Sequence, residues 1–331
     1  MRCLKLFERL TDYKLLFMLT GVVIVSACTS DNEHATKVGT LIKRLGGSFK
    51  TADHEPDKPI VEVRLLFLDL SDNDLTFLPA LVKLKSLNVS GNPIRDSGAA
   101  TIGRLTSLED LALAETKIGD AGIEKLKGLK ELQELDLSRT GVTGKSLEAL
   151  AKLPKLNILD LEGTDIKDED LAKLERFEQL QKLNLTGTRI SDAGVVHLRK
   201  INSLNSVSLN KTELADAGLK QVGKIGNLKV LDLGDTGITD EGLKYLKELS
   251  NLRSLGLRNT KVGDKGMAQL VRMKSLRRVI LTGSGLSDTG LAQLKPLKDL
   301  EFLDVRSTAV TEKAIEEIQV SNPNSFSTVG R

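Results

Sequence analysis

One pattern recurs along most of this chain with a constant period. From Leu228 it is L-x-x-L-x-L-x-x-T-x-I-x-D-x-G-L-x-x-L, and from Leu252 it returns as LRSLGLRNTKVGDKGMAQL. Nine of the ten intervals between its first leucines equal the interval from Leu228 to Leu252, and the first interval is shorter. These first leucines are Leu65, Leu84, Leu108, Leu132, Leu156, Leu180, Leu204, Leu228, Leu252, Leu276 and Leu300. Such a period predicts a linear array whose units are completed by their neighbours.

Each period contains a strand signal followed by a helix signal. Leu231 and Leu233 flank Asp232, and this alternation places the two leucines on one face of a strand. Leu243 and Leu246 are three residues apart, which is the spacing of one helix face. A single repeat buries too little apolar surface to fold alone, so stacked leucine rows must form the core.

These residues resemble the leucine-rich repeat family, and the resemblance covers Leu65 to about Ile318. The DxGL form is similar to bacterial repeats of the ribonuclease-inhibitor-like type. The resemblance implies an α/β fold, a right-handed β-α solenoid or horseshoe of about eleven repeats. Its parallel sheet would be concave and its short helices convex. The first repeat, NDLTFLPAL from Asn73 to Leu81, is similar to the more common Asn and LPxxL type, which suits a terminal unit.

A column of small polar residues follows the strand in every repeat. An unpaired inward hydroxyl costs on the order of 1–3 kcal/mol, so we expect these side chains to be hydrogen-bonded. We interpret the column as a ladder that ties loop backbone between adjacent repeats. Its members are Asn73, Asn92, Thr116, Thr140, Thr164, Thr188, Thr212, Thr236, Thr260, Ser284 and Thr308.

A second column consists of aspartates that precede the helices. A carboxylate there suits an N-cap or first-turn role, because it meets free backbone N–H groups and the positive end of the helix dipole. The repeat that begins at Leu132 departs from the column with Gly144. The aspartates are Asp96, Asp120, Asp168, Asp192, Asp216, Asp240, Asp264 and Asp288.

The N-terminus has the pattern of an export signal. Basic residues are followed by the apolar run Leu15 to Ala27, which is too short to span a bilayer of roughly 30 Å as a helix. Val25-Ser26-Ala27-Cys28 resembles the lipobox of bacterial lipoproteins, which implies lipidation of Cys28 and, with Thr29 next to it, sorting toward the outer membrane or cell surface. The alternative is an ordinary signal peptide whose cleavage site adjoins a cysteine.

The sequence therefore predicts five segments. Residues 1–27 form a lipoprotein signal peptide, and residues 28–34 form a short linker after the lipidated cysteine. Residues 35–64 form an N-terminal cap of a helix and a leading strand, residues 65–310 form the repeats, and residues 311–331 form a C-terminal cap helix and tail. The caps are expected because open solenoid ends expose leucines and strand edges.

Composition and motifs argue against several functional classes. A net charge of +3 over 331 residues gives no field of the kind that nucleic-acid-binding proteins use. The GKS in Gly141 to Ser146 lacks the first glycine of a phosphate-binding loop and lies in phase with the repeat. The three histidines are scattered, and Asp232 begins no calcium loop. We expect no catalytic residues, no metal site and no cofactor, and therefore no enzyme.

The remaining candidate site is the concave face, at the third, fifth, seventh and eighth positions of each repeat. The first five repeats contribute Asp69, Asp72, Asp110, Glu115, Glu134, Asp136, Asp160 and Glu162 against Arg139. The last six contribute Lys182, Lys211, Arg258, Arg278 and Arg306 against Asp232, Asp235 and Asp304. This predicts a charge-graded binding surface, and the alternative is that exposed strand positions are polar for solubility.

We expect a monomeric, lipid-anchored scaffold that presents this face to a protein or an extended polymer outside the cytoplasm. Eleven strands spaced about 4.8 Å apart give an arc near 50 Å, which suits a macromolecule better than a metabolite. A cell-surface adhesin and a purely structural envelope protein remain alternatives. An F-box-like substrate adaptor is a third, since such adaptors have similar repeats. The sequence does not name the ligand.

Overall fold

The computed structural model describes residues 31–52, 54–55, 57–321 and 326–328. The chain divides into two compact units, Met1–Leu132 (unit 1) and Gln133–Arg331 (unit 2). The predicted signal peptide 1–27, Cys28 and Thr29 lie outside the described residues.

Unit 1 contains four strands and three α-helices among its described residues. A hairpin joins β1 to β2 in antiparallel fashion, and β2, β3 and β4 are parallel. The strands are β1 (Ser48–Thr51), β2 (Ile60–Arg64), β3 (Ser86–Asn88) and β4 (Asp110–Ala112). The helices are α1 (Asp31–Arg44), α2 (Asp96–Ile102) and α3 (Asp120–Ile123), with 3-10 turns at Asp72–Leu75, Leu78–Ala80 and Glu124–Leu126.

The strand of the first repeat lies earlier in the chain than the sequence pattern predicts. Val63 pairs with Leu87 in the parallel register of β2 and β3, so Ile60 stands where Leu65 was expected. The first interval then runs from Ile60 to Leu84 and equals all the others. Asn73 lies in the 3-10 turn Asp72–Leu75 and not in the polar column after the strand, so its assignment to the ladder is wrong.

Unit 2 contains nine parallel strands among its described residues, and each pairs with the next. The strands are β5 (Glu134–Asp136), β6 (Ile158–Asp160), β7 (Lys182–Asn184), β8 (Ser206–Ser208), β9 (Val230–Asp232), β10 (Ser254–Gly256), β11 (Arg278–Ile280), β12 (Phe302–Asp304) and β13 (Phe326–Thr328). The helices are α4 (Leu147–Leu150), α5 (Asp216–Val222), α6 (Asp240–Leu243), α7 (Asp264–Leu270), α8 (Asp288–Gln293) and α9 (Glu312–Ser321), with 3-10 turns at Asp168–Arg176, Leu198–Lys200 and Lys244–Leu246. Short helical segments between parallel strands confirm the predicted fold class.

The core is a stack of aliphatic rows. Seven side chains of the repeat from Leu228 are at most 1% exposed: Leu228, Leu231, Leu233, Ile238, Leu243, Leu246 and Leu249. Full burial of one leucine contributes about 2 kcal/mol, and each row continues in the neighbouring repeats. The sheet is therefore held in place by packing beneath it, while its other face carries the polar positions.

The N-terminal end of unit 1 is covered by α1 and β1. The ring of Phe49 lies against Gly39, where an added methyl group would come within 2.5 Å of it. Val38 and Ile42 of α1 are buried. On the edge strand β1, Lys50 pairs with Glu62 at 2.7 Å, and a charged edge disfavours pairing with another chain.

The threonine ladder, buried except at the half-buried Thr308, does not connect adjacent repeats. Each hydroxyl donates to the carbonyl three residues earlier in its own repeat, at 2.5–2.7 Å. The prediction of an inter-repeat tie is therefore wrong for Thr116, Thr140, Thr164, Thr188, Thr212, Thr236, Thr260 and Thr308. At this position the hydroxyl lies next to the carbonyl of its own turn and closes that turn. Asn92 is longer and does bridge repeats, since its Nδ2 donates to Leu65 and its Oδ1 accepts from Leu68 and Leu70.

The aspartate column makes the connection between repeats instead. Eight aspartates that begin a helix or turn, Asp72 among them, also have an Oδ1 that accepts the backbone N–H before the next helix or turn, 23 residues later, at 2.7–2.9 Å. In unit 1 the pairs are Asp72 with Arg95 and Asp96 with Gly119. In unit 2 they are Asp168 with Ser191, Asp192 with Ala215, Asp216 with Thr239, Asp240 with Gly263, Asp264 with Ser287, and Asp288 with Thr311.

Candidate binding surface

The outward sheet face of unit 2 consists of positions 3, 5, 7 and 8 of each repeat, counted from the first leucine. Position 8 has a left-handed backbone in all eight repeats of this unit, with φ between 52° and 66°. This turn ends each strand, so the polar residues at positions 7 and 8 line the carboxyl-terminal edge of the sheet. The residues at position 8 are Arg139, Gly163, Gly187, Lys211, Asp235, Asn259, Gly283 and Ser307.

Aspartate and asparagine at position 5 have a structural role that the sequence analysis missed. Their Oδ1 accepts the backbone N–H of position 7, where the strand ends and that donor would otherwise need water. In unit 2 these pairs are Asp136 with Ser138, Asp160 with Glu162, Asn184 with Thr186, Asp232 with Gly234, and Asp304 with Arg306, at 2.9–3.4 Å. The available signal was the recurrence of Asp or Asn at a single strand position.

The predicted acidic residues of unit 2 are therefore not equivalent. Asp136 and Asp160 are half-buried and bind backbone, while Glu162 pairs with Arg139 at 3.0 Å. Glu134 is exposed and has no cationic partner among the residues that the structure describes. Of these four carboxylates, Glu134 is the one left available to a partner.

Asp160 shows the cost of placing a carboxylate at position 5. Burial raises the pKa of Asp160, hydrogen bonds from the Glu162 N–H and the Asn184 amide oppose that effect, and the negative charges of Asp136 and Glu162 add to it. The net pKa lies above its ordinary value of 3.8. The charged form is thus disfavoured at this point of the face.

The acidic residues of unit 1 are fewer than predicted. Asp110 lies on β4 and Glu115 in the turn after it, both on the outward face of that unit. Asp69 and Asp72 are not on this face, because the register shift places them beyond the strand. Asp72 instead accepts the N–H of Arg95 at 2.8 Å.

A cavity of about 720 Å³ lies on the outward face of unit 2. It is lined by residues of β9, β11 and β12 and by the turns that follow β7 to β12. Its charged side chains are Lys211, Arg258, Arg278, Arg306, Asp232, Asp235 and Asp304, and its apolar ones are Ile280 and Phe302. Four of the five predicted basic residues are thus brought together, whereas Lys182 on β7 does not line the cavity.

Arg306 is neutralised within its own repeat. Its guanidinium contacts the Asp304 carboxylate at 2.5 Å, and the Asp304 side chain is only 4% exposed. Burial raises the pKa of Asp304, but hydrogen bonds from the Arg306 side chain, the Arg306 N–H and Thr282 outweigh burial and hold the pKa below 3.8. The same carboxylate raises the pKa of Arg306. This pair forms a fixed wall of the cavity.

Two amides that the sequence analysis overlooked donate hydrogen bonds to the other carboxylates of the cavity. The Asn210 side chain donates to Asp232 at 2.8 Å, and the Asn259 side chain donates to Asp235 at 2.8 Å. Both asparagines stand at positions 7 and 8, which had been examined for charge alone. Arg258 lies 3.9 Å from Asp235, a long and exposed ion pair.

Arg278 and Lys211 are the most available cations in the cavity. The Arg278 guanidinium lies 4.0 Å from the centre of the Phe302 ring, a cation–π contact that fixes its plane. Both side chains are exposed, and neither has a carboxylate partner among the described residues. A planar, oriented guanidinium is suited to bidentate contact with a carboxylate.

Neither a metal-binding cluster nor a membrane-spanning helix is found in the described part of the chain. No group of three or more His, Cys, Asp or Glu side chains there could hold a metal ion. None of the helices described is both long enough and apolar enough to cross a membrane.

Comparison with known proteins supports the repeat assignment. One leucine-rich repeat model matches residues 106–166, and a second matches residues 81–103, 179–198 and 227–247. A search of curated proteins found no match.

Solved structures with a similar fold include an internalin (inlF) from Listeria monocytogenes. It is 16% identical with a TM-score of 0.58, over 92% of this chain and 98% of that one. An internalin C2 (inlC2) from the same organism is 20% identical with a TM-score of 0.44, over 70% of this chain and 84% of that one. The chain therefore contains leucine-rich repeats in the matched segments, and its fold is that of leucine-rich-repeat solenoids.

Proposed function

We propose that this chain is a non-enzymatic scaffold that presents the outward sheet face of its repeats to a protein partner. The observation that carries the proposal is the cavity of unit 2, where Arg278 and Lys211 are exposed without a carboxylate partner among the described residues. Exposed strand positions that served only solubility would not need an arginine fixed over an aromatic ring. Extended sheet surfaces of solenoids commonly act as binding faces.

The rigidity of the face supports the same function. The position 5 side chains of the face and the aspartates that begin the helices satisfy backbone donors in repeat after repeat. A surface held in this way loses little conformational entropy on binding, which favours affinity for a partner of matching charge.

Capture of the partner tests the proposal. Photo-cross-linking on intact cells is carried out with the wild type, with Glu134→Lys, with Arg258→Glu and with Arg272→Glu as control. Arg272 is exposed, outside the strands and outside the cavity. We expect one reproducible partner to be lost from at least one sheet-face variant and retained by the control. Equal recovery from all four proteins would contradict the proposal and favour the solubility explanation.

We further propose that the chain is anchored in the bacterial envelope through a lipid on Cys28. The apolar run before Cys28 and the Val25-Ser26-Ala27 that precedes it support this proposal. Metabolic labelling with a fatty acid should mark the wild type and not Cys28→Ala. Equal labelling of both proteins would contradict lipidation.

Whether the protein is displayed on the cell surface is a separate question, which protease treatment of intact cells answers. Protease treatment of intact cells should degrade the protein if it faces the exterior, and should spare it if it faces the periplasm. Degradation would favour an adhesin-like role, while protection would favour a partner inside the envelope.

A further inference from the structure

We propose that the cavity of unit 2 binds a short, extended peptide segment that carries acidic side chains and belongs to the partner protein. The inference rests on the proposed scaffold function and specifies the chemistry of its partner. It depends on the arrangement of charges in the cavity, on its apolar floor and on its length.

The charges in the cavity favour carboxylates. Arg306 is occupied by Asp304, but Arg278 and Lys211 have no carboxylate partner among the described residues, and Arg258 is held only at 3.9 Å from Asp235. Arg278 is the best anchor, because Phe302 covers one side of its guanidinium at 4.0 Å and leaves its edge to donate. Less side-chain freedom is then lost when a carboxylate binds.

The floor of the cavity favours an amphipathic segment. Ile280 and Phe302 are half-buried there, on the neighbouring strands β11 and β12. They offer apolar contact between the basic side chains. An extended peptide places alternate side chains on one side, so acidic and apolar groups can reach this surface together.

The carboxylates of the cavity argue against a polyanion. Asp232, Asp235 and Asp304 are also in the lining, so the four basic residues leave a net charge of only +1. A dense polyanion would meet like charge at three points. A peptide has backbone N–H donors for these carboxylates as well as side-chain carboxylates for the arginines, and this mixture suits the cavity.

The length of the cavity sets the size of the segment. Lys211 follows β8 and Arg278 begins β11, so the two side chains are three strand spacings apart across the sheet, about 14 Å at 4.8 Å per spacing, and lie toward opposite ends of the strands. An extended chain needs at least about four or five residues at 3.3 Å each to reach from one to the other. We therefore infer a core motif of at least that size, with acidic residues near its ends.

Selection from a displayed library of random linear peptides tests the inference with the full chain as target. The wild type should enrich peptides in which two acidic residues flank apolar ones, and Arg272→Glu should enrich the same peptides. Arg278→Glu combined with Arg258→Glu should not enrich them. A selected peptide should bind Arg278→Glu about tenfold or more weakly, and replacing its acids by the corresponding amides should weaken binding to the wild type by a similar factor.

Phe302→Leu gives a second and milder test, because it keeps apolar volume and removes the ring under Arg278. Affinity for the selected peptide should fall a few-fold, while the circular dichroism spectrum and thermal unfolding stay close to those of the wild type. Unchanged binding by Arg278→Glu, or selection of peptides without acidic enrichment, would overturn the inference. Tighter binding of heparin than of any peptide would overturn it in favour of a polyanion.

The two proposals can fail separately. Partner capture that depends on Glu134 but not on Arg258, together with unchanged peptide binding by Arg278→Glu, would leave the scaffold function standing and remove the acidic-peptide site. Loss of dependence on every sheet-face residue would remove both.

Discussion

The carboxylate of Asp240 accepts the backbone N–H of Gly263, 23 residues further along the chain, at 2.7 Å. The same Oδ1 atom also accepts the N–H of Gly266 at 2.9 Å. One side chain in α6 thus satisfies two donors at the start of α7. Neighbouring repeats otherwise meet through apolar packing and strand pairing. This contact therefore fixes the spacing of consecutive helices.

Removal of that carboxylate should destabilise unit 2. Asp240→Ala leaves the Gly263 N–H without its acceptor and the Gly266 N–H with only the Gly263 carbonyl, so we expect the free energy of unfolding to fall by about 1–3 kcal/mol in a urea titration. Asp240→Asn keeps the Oδ1 acceptor and should cost much less. Glu241→Ala is the matched control, because its exposed pair with Lys244 should contribute little. A large loss in the control, or none in Asp240→Ala, would contradict the structural role.

Within unit 2, the column of aspartates that begin the helices has a single gap, and this gap makes a rescue experiment possible. At Gly144 the aspartate is missing, and Asp170 of the next repeat accepts the N–H of Lys167 at 3.1 Å in its place. A methyl group on Gly144 would overlap the Asp170 carboxylate.

We therefore expect Gly144→Asp and Asp170→Ala each to lower the free energy of unfolding by about 1–3 kcal/mol. The double variant should recover much of that loss, because the new Asp can fill the space and accept from Lys167. A double-mutant cycle by chemical denaturation measures this coupling. Simple additivity of the two losses would show that the two carboxylates do not substitute for one another.

The threonine ladder should contribute through hydrogen bonds within each repeat. The Thr260 hydroxyl donates to the Leu257 carbonyl at 2.7 Å and is 6% exposed. Thr260→Val keeps the shape and removes the donor, so we expect a loss of about 1 kcal/mol in the free energy of unfolding. Thr260→Ser keeps the donor and should lose less from this bond. Comparable losses in both variants would instead indicate that packing of the methyl group dominates.

Acid should weaken the ion pair between Asp304 and Arg306 in the cavity. Asp304 has a lower pKa in the folded chain than its ordinary 3.8, so the unfolded chain takes up the proton first as pH falls. The contribution of Asp304 to stability is therefore fully present above about pH 3.8, and it is lost as the pH falls through the pKa of the folded chain. The difference in unfolding free energy between wild type and Asp304→Asn should be constant near neutral pH and should shrink in acid. A difference that grows on acidification would contradict the pKa direction.

The left-handed turn at position 8 predicts a stabilising substitution. Ser307 is exposed and has φ 56°, a conformation that glycine adopts without steric cost. Ser307→Gly should raise the free energy of unfolding by a few tenths to about 1 kcal/mol. Gly283→Ser should lower it, because φ is 66° there and a Cβ atom would collide with the Asn259 amide oxygen. Thermal unfolding of the two variants provides the measurement, and shifts of the same sign would contradict the prediction.

The repeat period was sufficient to predict the strands from Leu84 onward and the positions of Arg258, Arg278 and Arg306. It was not sufficient to assign hydrogen-bond partners. Every repeat carries the same residue types, so a bond from Thr236 to its own turn and a bond to the next repeat leave the same periodic pattern. The position of the side chain in the folded repeat separates the two cases, since Thr236 bonds to Leu233 in its own repeat whereas Asp216 bonds to Thr239 in the next.

The register of the first repeat was ambiguous for a different reason. The segment from Ile60 to Leu70 is so rich in aliphatic residues that both Ile60 and Leu65 can begin a plausible strand. Pairing of Val63 with Leu87 resolves the choice, and Phe67 then falls at position 8, where its φ of 54° matches the other turns. Partner strands are not visible in a single sequence. The neutralisation of Arg306 by Asp304 was likewise not predictable from position alone.

The bond from Asp240 to Gly263 also bears on how such a chain can change in length. Each repeat that carries this aspartate provides one acceptor to the repeat after it and receives one from the repeat before it. Duplication or deletion of one whole repeat among repeats that carry the aspartate therefore leaves every aspartate with a backbone N–H to bind. An insertion or deletion of any other length breaks one of these hydrogen bonds. Genetic gain or loss of whole repeats should then be nearly neutral for folding, and the outward sheet face can be lengthened or shortened one strand at a time.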